Sequence, residues 1–251
     1  MRISLIASAF VGIAAISSSI AVSGNVAKRA ASTEPLHLTL ANELVDGILA
    51  QADNGVTTDA TGTWTNRYGG AVGSYYITFA EPDVEGSVYS NFTRCAPFLT
   101  QLFKAAYGWT PPKAIGNSPD PKKYYNSIVS SANGFSSRAK FSDWQPGDIL
   151  ASPYYDDSSN IGHVMLMLNA EEISYDPATE TREYAVLVLD SSSGKHTSDT
   201  RVLYPALKDG VGRGVIKVKT VQDQPTQWAW KVTSSYYNAA DRPLAVGKIN
   251  Q

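Results

Sequence analysis

The chain has 251 residues, a formal net charge of -2, 43% hydrophobic and 18% charged residues. That balance excludes a disordered tail protein and gives enough length to bury a real core. The slight acidity leaves no electrostatic footprint for nucleic acid or for an anionic membrane surface.

The first segment reads as a targeting signal. Arg2 supplies a positive start, Ile3 to Ile20 is mostly apolar with interspersed serines, and Ala21-Val22-Ser23 puts small residues before Gly24. Residues 1–23 are therefore expected to be a secretory signal peptide cleaved after Ser23, with a secreted or periplasmic product and no membrane anchorage after cleavage. Residues 24–36 are polar and unpatterned, a flexible linker. Residues 37–251 show no internal repeat or composition shift, and read as one domain, expected to be monomeric.

Within that domain, Leu40, Leu44, Val45, Ile48 and Leu49 recur at helical spacing, which predicts a helix over Leu38 to Gln51 ended by Asn54-Gly55. Residues 55–72 are rich in Thr and Gly and read as loop, and Tyr75 to Phe79 as a short strand. A second helix is expected from near Thr93, with Phe98, Leu99, Leu102 and Phe103 inward and Gly108 at its end. Pro97 is tolerated only in a first turn, so Cys95 stands at the helix start. Tyr124 to Val129 suggests a third helix. Strands are expected at Asp148 to Ala151, His163 to Leu168, Tyr184 to Asp190, Val215 to Val221, Trp228 to Val232 and Leu244 to Ile249. Gly210-Val211-Gly212-Arg213-Gly214 reads as a turn or bulge before Val215. Helices first and strands after suggest an α+β domain with an antiparallel sheet.

Three residues carry candidate chemistry. Cys95 is the sole cysteine, so an internal disulfide is excluded. At a helix start it meets unpaired N–H groups and the positive end of the helix dipole, which favour a thiolate and can hold an oxyanion. His163 opens one apolar strand and Asp190 closes another. Pairing Leu168 with Ala185 across the intervening connection sets His163 directly opposite Asp190 on one face, where the carboxylate orients the imidazole. A one-residue slip breaks that pairing. His196, in the polar run after Asp190, is an alternative orienting partner or a substrate contact. No metal is expected, since the three histidines are far apart in the chain and no HExxH or paired-cysteine motif occurs. No other cofactor is implied. Asn91-Phe92-Thr93 matches the N-glycosylation pattern.

The order Cys95 at a helix start, then Pro146-Gly147-Asp148-Ile149-Leu150, then Gly162-His163-Val164-Met165-Leu166 resembles the NlpC/P60-type cysteine peptidases and amidases. The resemblance implies a papain-like α+β core, with the cysteine-bearing helix packed on an antiparallel sheet. It also implies a Cys95-His163-Asp190 triad, an acyl-enzyme, and amide bonds in peptidoglycan stem peptides as substrate, with Tyr89 or Asn91 upstream of the cysteine lining the site. The competing reading is an exported glycan- or protein-binding module with an inert buried cysteine; an acyltransferase or esterase on the same scaffold is a third.

Overall fold

The computed structural model describes residues 34–204, 207 and 209–250. The expected signal peptide, residues 1–23, and most of the expected linker lie outside them. Among the described residues no helix is long and apolar enough to cross a membrane.

The helical periodicities form three helices, of which the first and third run slightly longer than expected while the second begins at Cys95. α1 spans Leu36–Asp53, so the last residue assigned to the linker already begins it. α2 spans Cys95–Tyr107 and ends on Gly108, whose left-handed backbone (φ 65°) is the conformation that glycine adopts without steric cost. α3 spans Pro121–Val129, with proline in its first turn and the Asp120 carboxylate accepting from the Lys123 amide.

Strands dominate the rest. β1 (Asn66–Tyr68), β2 (Tyr76–Thr78) and β3 (Ser90–Thr93) form a small sheet in which β3 is central, parallel to β1 and antiparallel to β2. β4 (Phe135–Ser137), β5 (Ile149–Pro153), β6 (Gly162–Asp176), β7 (Thr181–Ser192), β8 (Gly210–Val221), β9 (Gln224–Ala229) and β10 (Ala245–Ile249) form a second sheet. Its order is β4-β10-β5-β6-β7-β8-β9, antiparallel throughout.

The expected papain-like α+β core of NlpC/P60 type is thereby corrected. The described residues are mostly β, in sheets of three and seven strands with three α-helices. The physical reason is that the large sheet buries both of its faces. One face sends Ala151, Val164, Leu166, Leu189 and Val211 into a core shared with the helices. The other gathers Leu150, Met165, Val188, Val218, Trp228 and Val246 into a second core that needs no helix, closed by Trp144 and Tyr154. A helix layer on one face thus accounts for only one of the two cores.

Two further expectations change. Gly210 to Gly214 is not a turn but the first part of β8. The direct pairing of His163 with Asp190 is also replaced. β6 and β7 pair Leu166 with Leu189 and Met167 with Val188, and an irregularity between Met167 and Asn169 leaves Leu168 out of the ladder. The expected register is thus off by two residues. Because strand side chains alternate with period two, that shift leaves both residues on the same face.

Gly162 sets the entry to β6. Its φ is +138°, and a Cβ there would stand 2.4 Å from the Ser152 carbonyl oxygen and 2.9 Å from Pro121. Gly162→Ala is expected to destabilise the fold by about 2–4 kcal/mol, combining backbone strain with overpacking. Gly55→Ala also has positive φ but meets nothing within 4 Å, and should cost only about 1 kcal/mol. Urea denaturation of the two variants measures the difference.

Candidate active site

The chain delivers Cys95 by running β3 straight into α2. Ser191 Oγ, on β7, donates to the Thr93 carbonyl at 3.0 Å and fixes this junction against the large sheet. Arg94, the N-cap residue, is extended and makes no side-chain cap. The amides of Cys95 and Ala96 are therefore not claimed by a cap, and Pro97 has no N–H. The first turn of a 13-residue helix leaves these donors and its dipole directed at whatever sits beside the sulfur.

His163 is buried, with Ser152 as its cross-strand neighbour on β5. Its Nε2 donates to Asp190 Oδ2 at 2.5 Å, and the Cys95 side chain lies beside the ring. With Nε2 committed to the carboxylate, Nδ1 is the nitrogen left for the sulfur. Burial alone would pull the imidazole pKa down. The negative charge available on the Cys95 sulfur and the Asp190 carboxylate outweigh that and push it up to about 9.

Asp190 is fully buried. Its Oδ2 also accepts from His196 Nε2 at 2.9 Å, and its Oδ1 lies 3.0 Å from Arg201 Nη1, an ion pair without hydrogen-bond alignment. Burial opposes its ionisation, yet Arg201, then His196 and His163, hold its carboxyl well below the usual carboxylate range. Arg201 is itself buried and grips Asp199 at both ends, Nε to Oδ1 at 2.8 Å and Nη2 to Oδ2 at 2.6 Å. His196 faces the Trp230 carbonyl with Nδ1 at 3.2 Å. Both of its nitrogens thus meet oxygens, one of Asp190 and one of the Trp230 backbone. The Trp230 ring lies 4.9 Å from the His163 ring and 4.1 Å from the His196 ring, keeping water off the buried pair.

The glycines of β8 make room for this cluster. A Cβ at Gly212 would meet the Arg201 stem at 2.7 Å, and one at Gly214 would meet His196 Cβ at 2.6 Å. Alternate glycines strip one face of the strand of side chains, and the segment carrying His196 and Arg201 lies on it. Thr197 holds that segment by pairing with Val215.

The other residues singled out from sequence fall elsewhere. Tyr89 lies over Gly47 of α1 and against Phe79, and its hydroxyl binds Glu43. Asn91 is fully buried, donating to Asn66 Oδ1 and the Arg67 carbonyl and accepting from Thr93 Oγ1. It is a structural residue and offers no folded-state glycosylation site. His196 is buried behind Asp190 and reaches no cavity wall. A tyrosine that lines both cavities of the site is Tyr68 on β1, in a stretch expected to be loop. Burial, then the charge of Cys95, raises its pKa to about 12. No local sequence signal marks it; only the pairing of β1 with β3 brings it there.

Two cavities open here. One, of about 430 Å³, is lined by Cys95, Tyr68, Tyr75 and Asn160 among others. The second, of about 310 Å³, is lined by His163, Tyr68, Asn160 and Trp230 among others. Donor atoms of His163, Asp190 and His196 lie within 4.8 Å of one another, close enough to share an ion. Both Nε2 atoms are hydrogen-bonded to the carboxylate and a guanidinium stands on its other oxygen, an electrostatic setting that disfavours a further cation. The Asp156-Asp157 pair is likewise engaged, Asp156 with Arg242 and Asp157 with the amides of Ser159 and Asn160.

The raised His163 has a signed consequence. Its contribution to native stability is complete below its ordinary value of 6.5 and is lost as pH climbs through about 9. Asp190→Asn or Cys95→Ala should each lower the His163 midpoint seen by NMR, and Asp190→Asn should flatten the stability slope across that window. No family model, no curated protein and no solved structure matches this chain, so the roles of these residues are argued from their chemistry, and the NlpC/P60 resemblance stands on its short motifs.

Proposed function

We propose that the chain is a thiol hydrolase that cleaves amide bonds, with Cys95 as nucleophile, His163 as acid and base, and Asp190 as the group that orients His163. The observation that carries this reading is the single line of contacts from the Cys95 side chain through the His163 ring to the buried Asp190 carboxylate, at the wall of an open cavity. A structural cysteine needs no imidazole, and a structural histidine needs no cavity.

In the first step the Cys95 sulfur attacks the amide carbonyl carbon. A C–S bond forms, the carbonyl oxygen becomes an oxyanion facing the free amides of the α2 first turn, and the C–N bond breaks as His163 gives its Nδ1 proton to the departing nitrogen. Water then attacks the thioester. His163 takes its proton, the C–S bond breaks, and the carboxylic acid leaves. Tyr68, held protonated by its raised pKa, stands beside the sulfur as a further hydrogen-bond donor. The substrate class is the one that the motifs imply, the stem peptides of peptidoglycan.

Digestion of purified peptidoglycan by wild type and by Cys95→Ala, with the products separated by mass, tests the reading. New amine ends released by wild type and reduced at least ~10³-fold in the variant are expected. Equal, background release from both would remove that substrate. The rate should fall as pH rises through about 9, where His163 loses the proton that the leaving amine needs.

A further inference from the structure

We propose that the second cavity is the leaving-group subsite, and that it takes amines bearing a carboxylate, bound through Arg242. This inference rests on the hydrolase reading for the direction of the substrate, and on the cavity's own chemistry for the ligand.

Direction follows from proton transfer. The imidazole protonates the departing nitrogen, so the departing fragment must lie on the His163 side. Cys95 lines the first cavity and His163 the second, and the two adjoin at Tyr68 and Asn160, which line both. The acyl part then fills the Cys95 side and the amine part the His163 side.

Chemistry follows from the walls. No acidic residue lines the second cavity, whereas Arg242 does. Its guanidinium packs against two rings, 4.1 Å from the Tyr154 centroid and 4.4 Å from the Tyr237 centroid. Asp156 meets it along Nε, at 2.9 and 3.1 Å from the two carboxylate oxygens. That pair is at the surface, with the Asp156 side chain 38% exposed, so solvent screens its hold. The Nη groups offer further donors in the planar fork that matches a carboxylate. Trp230 and the two tyrosines supply apolar walls for the carbon skeleton between amine and carboxylate.

The test separates this subsite from catalysis by using Cys95→Ala, which needs no turnover. Phenylalanine and glycyl-phenylalanine, each compared with its C-terminal amide, place a carboxylate at two distances from an amine; binding is followed by isothermal titration. At least one acid is expected to bind about tenfold or more tightly than its amide. Arg242→Gln should abolish that preference and leave amide affinity unchanged, and Arg242→Lys should keep part of it, which shows that the pocket is still folded. Equal affinity of acid and amide in both pairs, a preference that survives Arg242→Gln, or no binding of any of the four would overturn the proposal. Background release of peptidoglycan by wild type with the acid preference intact would instead remove peptidoglycan as the substrate and leave the subsite standing.

Discussion

The full burial of one carboxylate organises the centre of this molecule. An isolated carboxylate in a protein interior carries a desolvation penalty of several kcal/mol or more, and persists as an ion only when its lone pairs and its charge are matched. Asp190 is matched in charge by Arg201 at Oδ1 and in hydrogen bonds by His196 and His163 at Oδ2. Each partner then imposes a demand of its own. Arg201 is a buried cation and needs Asp199; His196 needs the Trp230 carbonyl; both need the bare strand face that Gly212 and Gly214 provide.

A second constraint joins the small sheet to the large one. Asn66 accepts from the Val211 amide at 2.8 Å and donates to the Val211 carbonyl at 2.9 Å, so its side-chain amide serves as a missing strand neighbour for β8. Asn91 then donates to Asn66. Gly210 must lack a side chain for this, since a Cβ would meet Asn66 Oδ1 at 2.1 Å. Such fully satisfied buried amides specify one docking geometry. Because β1 carries Tyr68 and β3 runs into Cys95, the same network fixes the hydroxyl and the sulfur relative to one another.

What the chain reveals on its own follows from periodicity. The α2 start was legible because a proline two residues after Cys95 and a helical apolar stripe admit one reading, and α1 because five apolar residues share a face. The shared face of His163 and Asp190 was legible in parity though not in register: the pairing near the start of β6 is two residues from the expected one, and the one-residue irregularities at Leu168 and Ile173 that set it have no marker in the sequence. Tyr68 was not legible, since only the pairing of β1 with β3 places it, and Arg201 and Asp199 were not, since nothing in their polar run marks it as buried. The alternate glycines were visible, and their period of two was the clue that they belong to a strand with a stripped face and not to a turn. The papain-like expectation failed for a related reason. Apolar residues on both faces of β5 to β8 read as strands in either architecture, and only packing shows that the second face closes a core without helices.

That two-faced sheet also explains where the chemistry can occur. Cys95 belongs to the core on the helix side, with Val164 and Leu166, whereas His163 shares the opposite face with Met165 and Met167. Across the body of the sheet these side chains could not meet. They meet because His163 is the second residue of β6, where the strand has only just begun and no further backbone stands between the faces. Gly162, pressed against the Ser152 carbonyl, lets the chain enter at that point without a side chain in the way. The imidazole therefore sits at the end of the sheet with its carboxylate on one side and the sulfur on the other, and the two cavities flank it for the same reason: each opens from one side of a strand end.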